Sequence, residues 1–259
     1  MLDIALEPGL LITLALVGLI AGFVDAIAGG GGLMTVPVLL ASGLPPHVVL
    51  GTNKLSACFA SFTASFTFFR KKLFNPMFWR YAAISTLIGA FIGTMAVSLL
   101  SEDILYKALP IIIIICGLYT LFCRSSLNES ARLPKETRAL YLKQISQGGI
   151  LGFYDGIAGP GTGAFWTVSS LALYKMNILF SSGLARSMNF ISNFTSLLTF
   201  IYLGQVNFVI GLTMGSFMLI GSWIGAHSAI RYGGKFIRPI FTLIVLIMAI
   251  KLTYTAWIQ

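Results

Sequence analysis

Apolar stretches of about twenty residues recur from one end of this chain to the other, and they fix its solvent before its fold. A helix crosses the hydrocarbon core of a bilayer in about twenty residues. The candidate spans are 9–28, 33–42, 47–69, 77–100, 104–123, 143–158, 162–174, 178–203, 207–230 and 235–257. Four of them are short for a crossing: the pieces on either side of Gly29-Gly30-Gly31-Gly32 and of Gly159-Pro160-Gly161-Thr162-Gly163. Gly and Pro clusters break helices, so each short pair reads as a broken or re-entrant helical hairpin. Irregular backbone survives at membrane depth only where protein buries it or a cavity is lined by it. Charged residues make up 10% of the chain, against about a quarter in a soluble domain, so no separate soluble domain is expected.

The net charge of +9 on a soluble protein would point to nucleic acid. Here it sorts by loop, and no nucleic-acid partner is expected. Of the 17 Lys and Arg residues, 14 fall at alternate loops: 70–80, 124–143, 175–186 and 231–238. Basic residues collect on the cytoplasmic side of membrane proteins, which predicts both termini outside. Asp3 and Glu7 precede the first apolar run where a signal peptide would carry a basic region, so that run reads as a retained membrane segment. Cys58, Cys116 and Cys123 all sit in apolar segments without metal-ligand spacing, and the chain holds two His. Small buried residues are the reading for the cysteines, with no metal, no cofactor and no catalytic residue expected.

The chain repeats itself. AGFVDAIAGGGG at 21–32 returns as LGFYDGIAGPGT at 151–162, pairing Gly22 with Gly152, Phe23 with Phe153, Asp25 with Asp155 and Gly29 with Gly159. After a two-residue insertion, Thr35 pairs with Thr167, Lys54 with Arg186, Asn75 with Asn207, Gly89 with Gly221 and Gly93 with Gly225. Joined to the charge map, the duplication predicts an all-α polytopic membrane protein of two inverted repeats. Each repeat has one Gly-broken hairpin and three long transmembrane helices. Repeat one spans 1–123, a basic cytoplasmic linker 124–142, and repeat two 143–259. Inverted repeats with discontinuous helices are a transporter pattern, with substrate bound where the halves meet.

The candidate site follows from that pattern. A helix restarting after Gly30, Gly31 and Gly32, or after Gly161 and Thr162, offers unpaired N–H groups and a positive dipole end to an anion. The alternative is that the glycines only allow close helix crossing, the reading adopted for Gly89/Gly93 and Gly221/Gly225. Lys54 and Arg186 each lie near the start of a long apolar helix, where an ionisable residue is costly and usually faces a pathway. Together they suit an anion with two or three acceptor oxygens, Arg as a planar fork and Lys as a point charge. The alternatives are a snorkelling Lys54 and an Arg186 that belongs to a basic loop. Asn53, Asn189 and Asn193 on the same segments can donate hydrogen bonds to substrate or to neighbouring helices. Asp25 and Asp155, the acidic residues inside the predicted spans, read as coupling proton carriers or as counter-ions to the basic pair.

At these residues the sequence resembles the TauE/SafE, or sulfite exporter, family of membrane proteins. The resemblance rests on AGFVDAIAGGGGLMTVP, GTNKL after Pro45-Pro46, GFYDGIAGPGTG and NFISN, and it spans essentially the whole chain. It implies a multi-pass protein of the bacterial inner membrane that moves sulfite, sulfoacetate or related organosulfur anions, usually outward. Arg186 stands where Lys is expected, and Thr162 falls where the first repeat has Gly32; both departures bear on selectivity. The expected partners are a small anion and the lipid bilayer, with homodimer formation left open. Three rivals remain: a cation carrier or channel using Asp25 and Asp155 as oxygen ligands, a membrane aspartyl protease built on the same pair, and a scaffold. Lys54 and Arg186 argue against the first, the missing Gly-x-Gly-Asp signature against the second, and the broken helices against the third.

Overall fold

The computed structural model describes residues 8–105, 107, 111 and 133–233. Among them eight α-helices are described from end to end, with no β-strand: α1 (Pro8–Ala28), α2 (Gly31–Ala41), α3 (Pro46–Arg70), α4 (Arg80–Ser98), α5 (Arg138–Ile157), α6 (Thr162–Tyr174), α7 (Ile178–Tyr202) and α8 (Phe208–Tyr232); residues 102–105, 107 and 111 are helical too. The expected spans 104–123 and 235–257 lie almost wholly outside the described residues, as do Cys116, Cys123 and residues 124–132 of the basic linker.

Helix ends follow local chemistry. Pro46 occupies the first turn of α3, where its missing N–H costs nothing. Asn177 and Asn207 cap α7 and α8, their side chains accepting from Phe180 N and Ile210 N, as side-chain oxygens do at helix starts. The helix α5 begins at Arg138, five residues ahead of the apolar run predicted from 143. Thr137 caps it by accepting from Leu140 N. An apolar pattern misses a polar first turn that is capped and exposed.

Two long helix pairs carry the packing, α1 along α8 and α4 along α5, and both are built from glycine. A β-carbon at Gly22 would fall on the backbone of Met218, one at Gly221 on Leu19 O and one at Gly225 on Phe23 O. At the equivalent positions, Gly152 meets the backbone of Thr86, Gly89 meets Gly149 O and Gly93 meets Phe153 O. Small residues are what let helix backbones approach this closely, as the spacing of Gly89/Gly93 and Gly221/Gly225 predicts. Thus the first helix of each repeat lies against the last described long helix of the other.

The interior mixes apolar clusters with many buried polar groups, and the outside is apolar. Lys54, Asn53, Ser56 and Ser61 of α3 are buried, as are Arg186, Ser192, Asn193 and Ser196 of α7. Leu87, Ile88, Phe91 and Ile92 of α4, and Leu212, Ile220 and Trp223 of α8, face outward. A lipid solvent makes both arrangements cheap, because the outer face needs no polar coat and the inner groups find partners. Among the described residues, three helices, Gly9–Ala28, Arg80–Ser98 and Phe208–Tyr232, are long and apolar enough to cross a membrane by length and composition. The 25-residue helices α3 and α7 have the length, but their buried polar sides lower their hydropathy.

One interior contact gives a direct test of this packing. Thr94 Oγ1 lies 2.8 Å from Ser196 Oγ and 3.3 Å from Gly156 O, all buried. Thr94→Val keeps the shape and takes this partner from both Gly156 O and the Ser196 hydroxyl, at an expected cost of about 1–3 kcal/mol. A lowered melting temperature in detergent with unchanged helicity is the expected result.

Candidate functional site

Each helical hairpin breaks at a glycine that L residues with side chains rarely replace. Gly29 and its repeat partner Gly159 have φ of +76° and +87°, the left-handed region open to glycine. The breaks face each other. A β-carbon on Gly29 would land on the backbone of Gly163 and Ala164, and one on Gly32 would approach Pro160 Cα at 3.2 Å. The restart of each broken helix is therefore packed against the other half.

Lys54 and Arg186 are each the ninth residue of their helices, counting from Pro46 and Ile178, and they are 1% and 0% exposed. Neither snorkels nor belongs to a loop. Each makes a contact that crosses between the halves. Lys54 Nζ donates to Asp155 O at 2.5 Å, Asp155 Oδ1 at 2.8 Å and Asn193 Oδ1 at 3.2 Å. An ammonium has three protons, and all three are used. Arg186 Nη1 donates to Asp25 O, while Nη2 reaches Thr167 Oγ1 at 3.3 Å and Gly163 O at 3.4 Å. Each cation thus holds the carbonyl of the aspartate in the other repeat, at the last turn before its helix breaks.

The two aspartates are not held alike. Asp155 forms a buried ion pair with Lys54. Its Oδ1 also lies 3.1 Å from Thr162 Oγ1, and its Oδ2 accepts from Ser192 Oγ. The Thr162 hydroxyl is 2.7 Å from Gly159 O as well, so its single proton serves one acceptor at a time. Asp25 Oδ1 accepts from Gly31 N at 3.1 Å, capping the restart of α2. Its Oδ2 is buried without a partner, as is Arg186 Nε. Unpaired capacity therefore sits on the Asp25–Arg186 side, and the Lys54–Asp155 side is saturated.

The remaining predicted residues fall close by. Asn53 Oδ1 accepts from Thr35 Oγ1 at 2.5 Å, tying α3 to α2. Asn189 is buried on α7, one turn before Asn193. Gly30 is buried and its β-carbon would meet only Leu33 and Val24 side chains at 3.7 and 3.8 Å. Gly161 caps α6 at φ 80°. Sequence reasoning passed over Ser192, Thr35, Thr167 and Gly163. The two threonines carried a signal, since the duplication pairs them; Ser192 has Ala60 at the equivalent position and carried none. No group of three or more metal-ligating side chains forms among the described residues. Chemically, the centre offers two buried cations, each bound to oxygens that a small oxyanion could replace, and one carboxyl oxygen free to take a proton.

Comparisons place these residues among known sequences. Residues 14–252 match the family model described as Sulfite exporter TauE/SafE. A relative from Haemophilus influenzae named "Probable membrane transporter protein" is 36% identical over 253 residues, covering 98% of this chain and 97% of the relative. The Escherichia coli K12 protein "Probable membrane transporter protein YfcA" is 36% identical over 248 residues, 96% of this chain and 91% of its own length. A Sinorhizobium protein, "Probable membrane transporter protein ORF9", is 32% identical over 243 residues, 94% and 92% of the two chains. No solved structure matches.

Proposed function

The chain belongs to the sulfite exporter TauE/SafE family of membrane transporters, not enzymes, and from that premise we propose that it is a secondary carrier exporting a small anion. The cargo class is a sulfur oxyanion or organosulfonate such as sulfite or sulfoacetate, as the family description suggests. The observation that carries this reading is the crossed arrangement of Lys54 and Arg186, two buried cations at equivalent positions, each bound to the broken helix of the other half.

In the proposed mechanism the two repeats are inverted in a bacterial inner membrane, with both termini outside, and rock about the glycine breaks. The anion's oxygens first engage Arg186, which has donors to spare. They then displace the carbonyl and carboxylate oxygens that hold Lys54. Half-helix N–H groups at Gly30–Gly32 and Gly161–Thr162 join the shell as Asp25 Oδ1 and Gly159 O release Gly31 N and Thr162 N, and Asn53, Asn189 and Asn193 orient it. Asp155 is the counter-ion that holds Lys54 between cycles. Asp25, with one oxygen unpartnered, is where coupling to a proton falls. Outward movement of one negative charge gains about 2.3 kcal/mol per 100 mV of inside-negative potential, enough to drive flux without a coupling ion. The unpartnered Asp25 Oδ2 also favours a second reading, a cation carrier or channel using Asp25 and Asp155; the two neighbouring cations oppose it.

The test is charge movement by reconstituted protein on a solid-supported membrane, offered sulfite, sulfoacetate, sulfate, lactate, Na⁺ or Ca²⁺. Sulfur-anion currents are expected, reduced at least tenfold by Arg186→Ala. Currents with cations only would overturn the anion reading and move attention to Asp25.

A further inference from the structure

Away from the centre, the outer face between α3 and α8 carries a half-open groove of about 440 Å³. One wall is a stripe at helical spacing, Phe62, Phe66 and Arg70, with Lys71 beside it; the other is Trp223 and His227. The stripe runs about 12 Å at 1.5 Å per residue, aromatic along its length and cationic at one end. Phe62 and Phe66 stack with centroids 6.0 Å apart, the Arg70 guanidinium stands 5.9 Å from the Phe66 ring, and the Trp223 and His227 rings lie 4.7 Å apart. His227 Nδ1 donates to Trp223 O at 2.8 Å, which fixes the ring against the Trp223 turn.

The duplication supplies a control within the molecule. The equivalent positions in the other half are Phe194 for Phe62, Leu198 for Phe66, Phe91 for Trp223, Tyr202 for Arg70, Leu203 for Lys71 and Met95 for His227. The apolar floor is kept in both copies, and the three basic groups are present in one. The fold therefore does not require them. An apolar floor and a basic mouth on a lipid-facing surface complement one ligand class, a phospholipid with acyl chain and anionic headgroup.

We propose that this groove is a binding site for one anionic phospholipid. The phosphate is held by Arg70 and Lys71, and one acyl chain lies along Phe62, Phe66 and Trp223. The site belongs to the leaflet that faces the basic loops. It stands independently of the cargo, since it shares no residue with the centre.

Tryptophan quenching by acyl-brominated lipids reads the site directly. Of the four tryptophans, Trp79 and Trp166 are buried and Trp223 is exposed, so a Trp257→Phe background isolates Trp223. Full-length protein in mixed micelles is titrated with brominated phosphatidylglycerol against phosphatidylcholine. A preference for the anionic lipid of about tenfold or more is expected, at roughly fivefold per cation. Arg70→Gln/Lys71→Gln should bring it within twofold of parity, and both residues are exposed, so the fold is not at risk. Parity in the unaltered protein would overturn the proposal. So would protection of Trp223 from both lipids in a dimeric particle, which would give the groove to a second copy of the chain.

Discussion

Lys54→Met is expected to destabilise the protein by about 3–5 kcal/mol and to abolish anion flux. The stability loss comes from Asp155, whose carboxylate would remain buried, 1% exposed, without its cation. Breaking a buried ion pair from one side costs about that much. The flux loss has a separate cause, and a second variant separates the two. Replacing both partners by apolar residues of similar size is often neutral, so Lys54→Met/Asp155→Leu is expected to recover most of the melting temperature. It should still carry no current, because the ammonium that would meet the anion is gone. A double variant that is stable and transports at the unaltered rate would remove Lys54 from the substrate site and leave it a purely structural cation.

The crossed pairing behind that prediction is where sequence and structure part. The duplication relates Lys54 to Arg186 and Asp25 to Asp155, which groups the residues by kind. It carries no information on which acid meets which cation, because that depends on how the halves pack. Packing places α1 on α8 and α4 on α5, and so brings each cation to the other repeat's aspartate. The breaks themselves were legible, since four glycines in a row or Gly-Pro-Gly admit little else. So were the crossings at Gly89/Gly93 and Gly221/Gly225. The long polar-sided helices α3 and α7 were harder to place by apolarity, and were found through the motifs they carry. The α2 restart was read as an open anion site, yet the Asp25 carboxylate already occupies Gly31 N. A residue six positions upstream reaches it only because the backbone turns sharply at Gly29, a geometry that spacing alone does not give.

That occupied restart alters how the proposed cycle works. An anion arriving at two bare helix ends would be bound by fields already in place. Here Lys54 Nζ, Gly31 N and both terminal nitrogens of Arg186 are engaged with internal acceptors, and Arg186 Nε is not. Binding is then an exchange, in which the anion is held only as far as it outcompetes Asp155 and the Asp25 carbonyl. Such a site favours turnover over tight retention, since the internal acceptors return when the anion leaves. Releasing Lys54 and Arg186 from the broken helices also frees the contacts between halves, which couples occupancy to movement.

Two adjacent glycines at the first break give the sharpest remaining test, because the structure assigns them opposite costs. Gly29→Ala meets two penalties. The left-handed conformation at φ +76° costs a residue with a side chain about 1–2 kcal/mol. The added carbon also falls on the backbone of Gly163 and Ala164, and overpacking adds about 1–3 kcal/mol. Backbone cannot rotate aside as a side chain can, so the two breaks must separate. Complete loss of flux with a clearly lowered melting temperature is expected. At Gly30 the φ is −111°, and a β-carbon meets only side-chain methyls at ordinary contact distance. Gly30→Ala should fold as well as the unaltered protein. If the half-helix restart is where an anion approaches the backbone, this silent methyl stands in its way, and sulfite flux should fall at least tenfold with stability unchanged. A stable and fully active Gly30→Ala protein would confine the glycine run to helix packing and leave the anion to the cations alone.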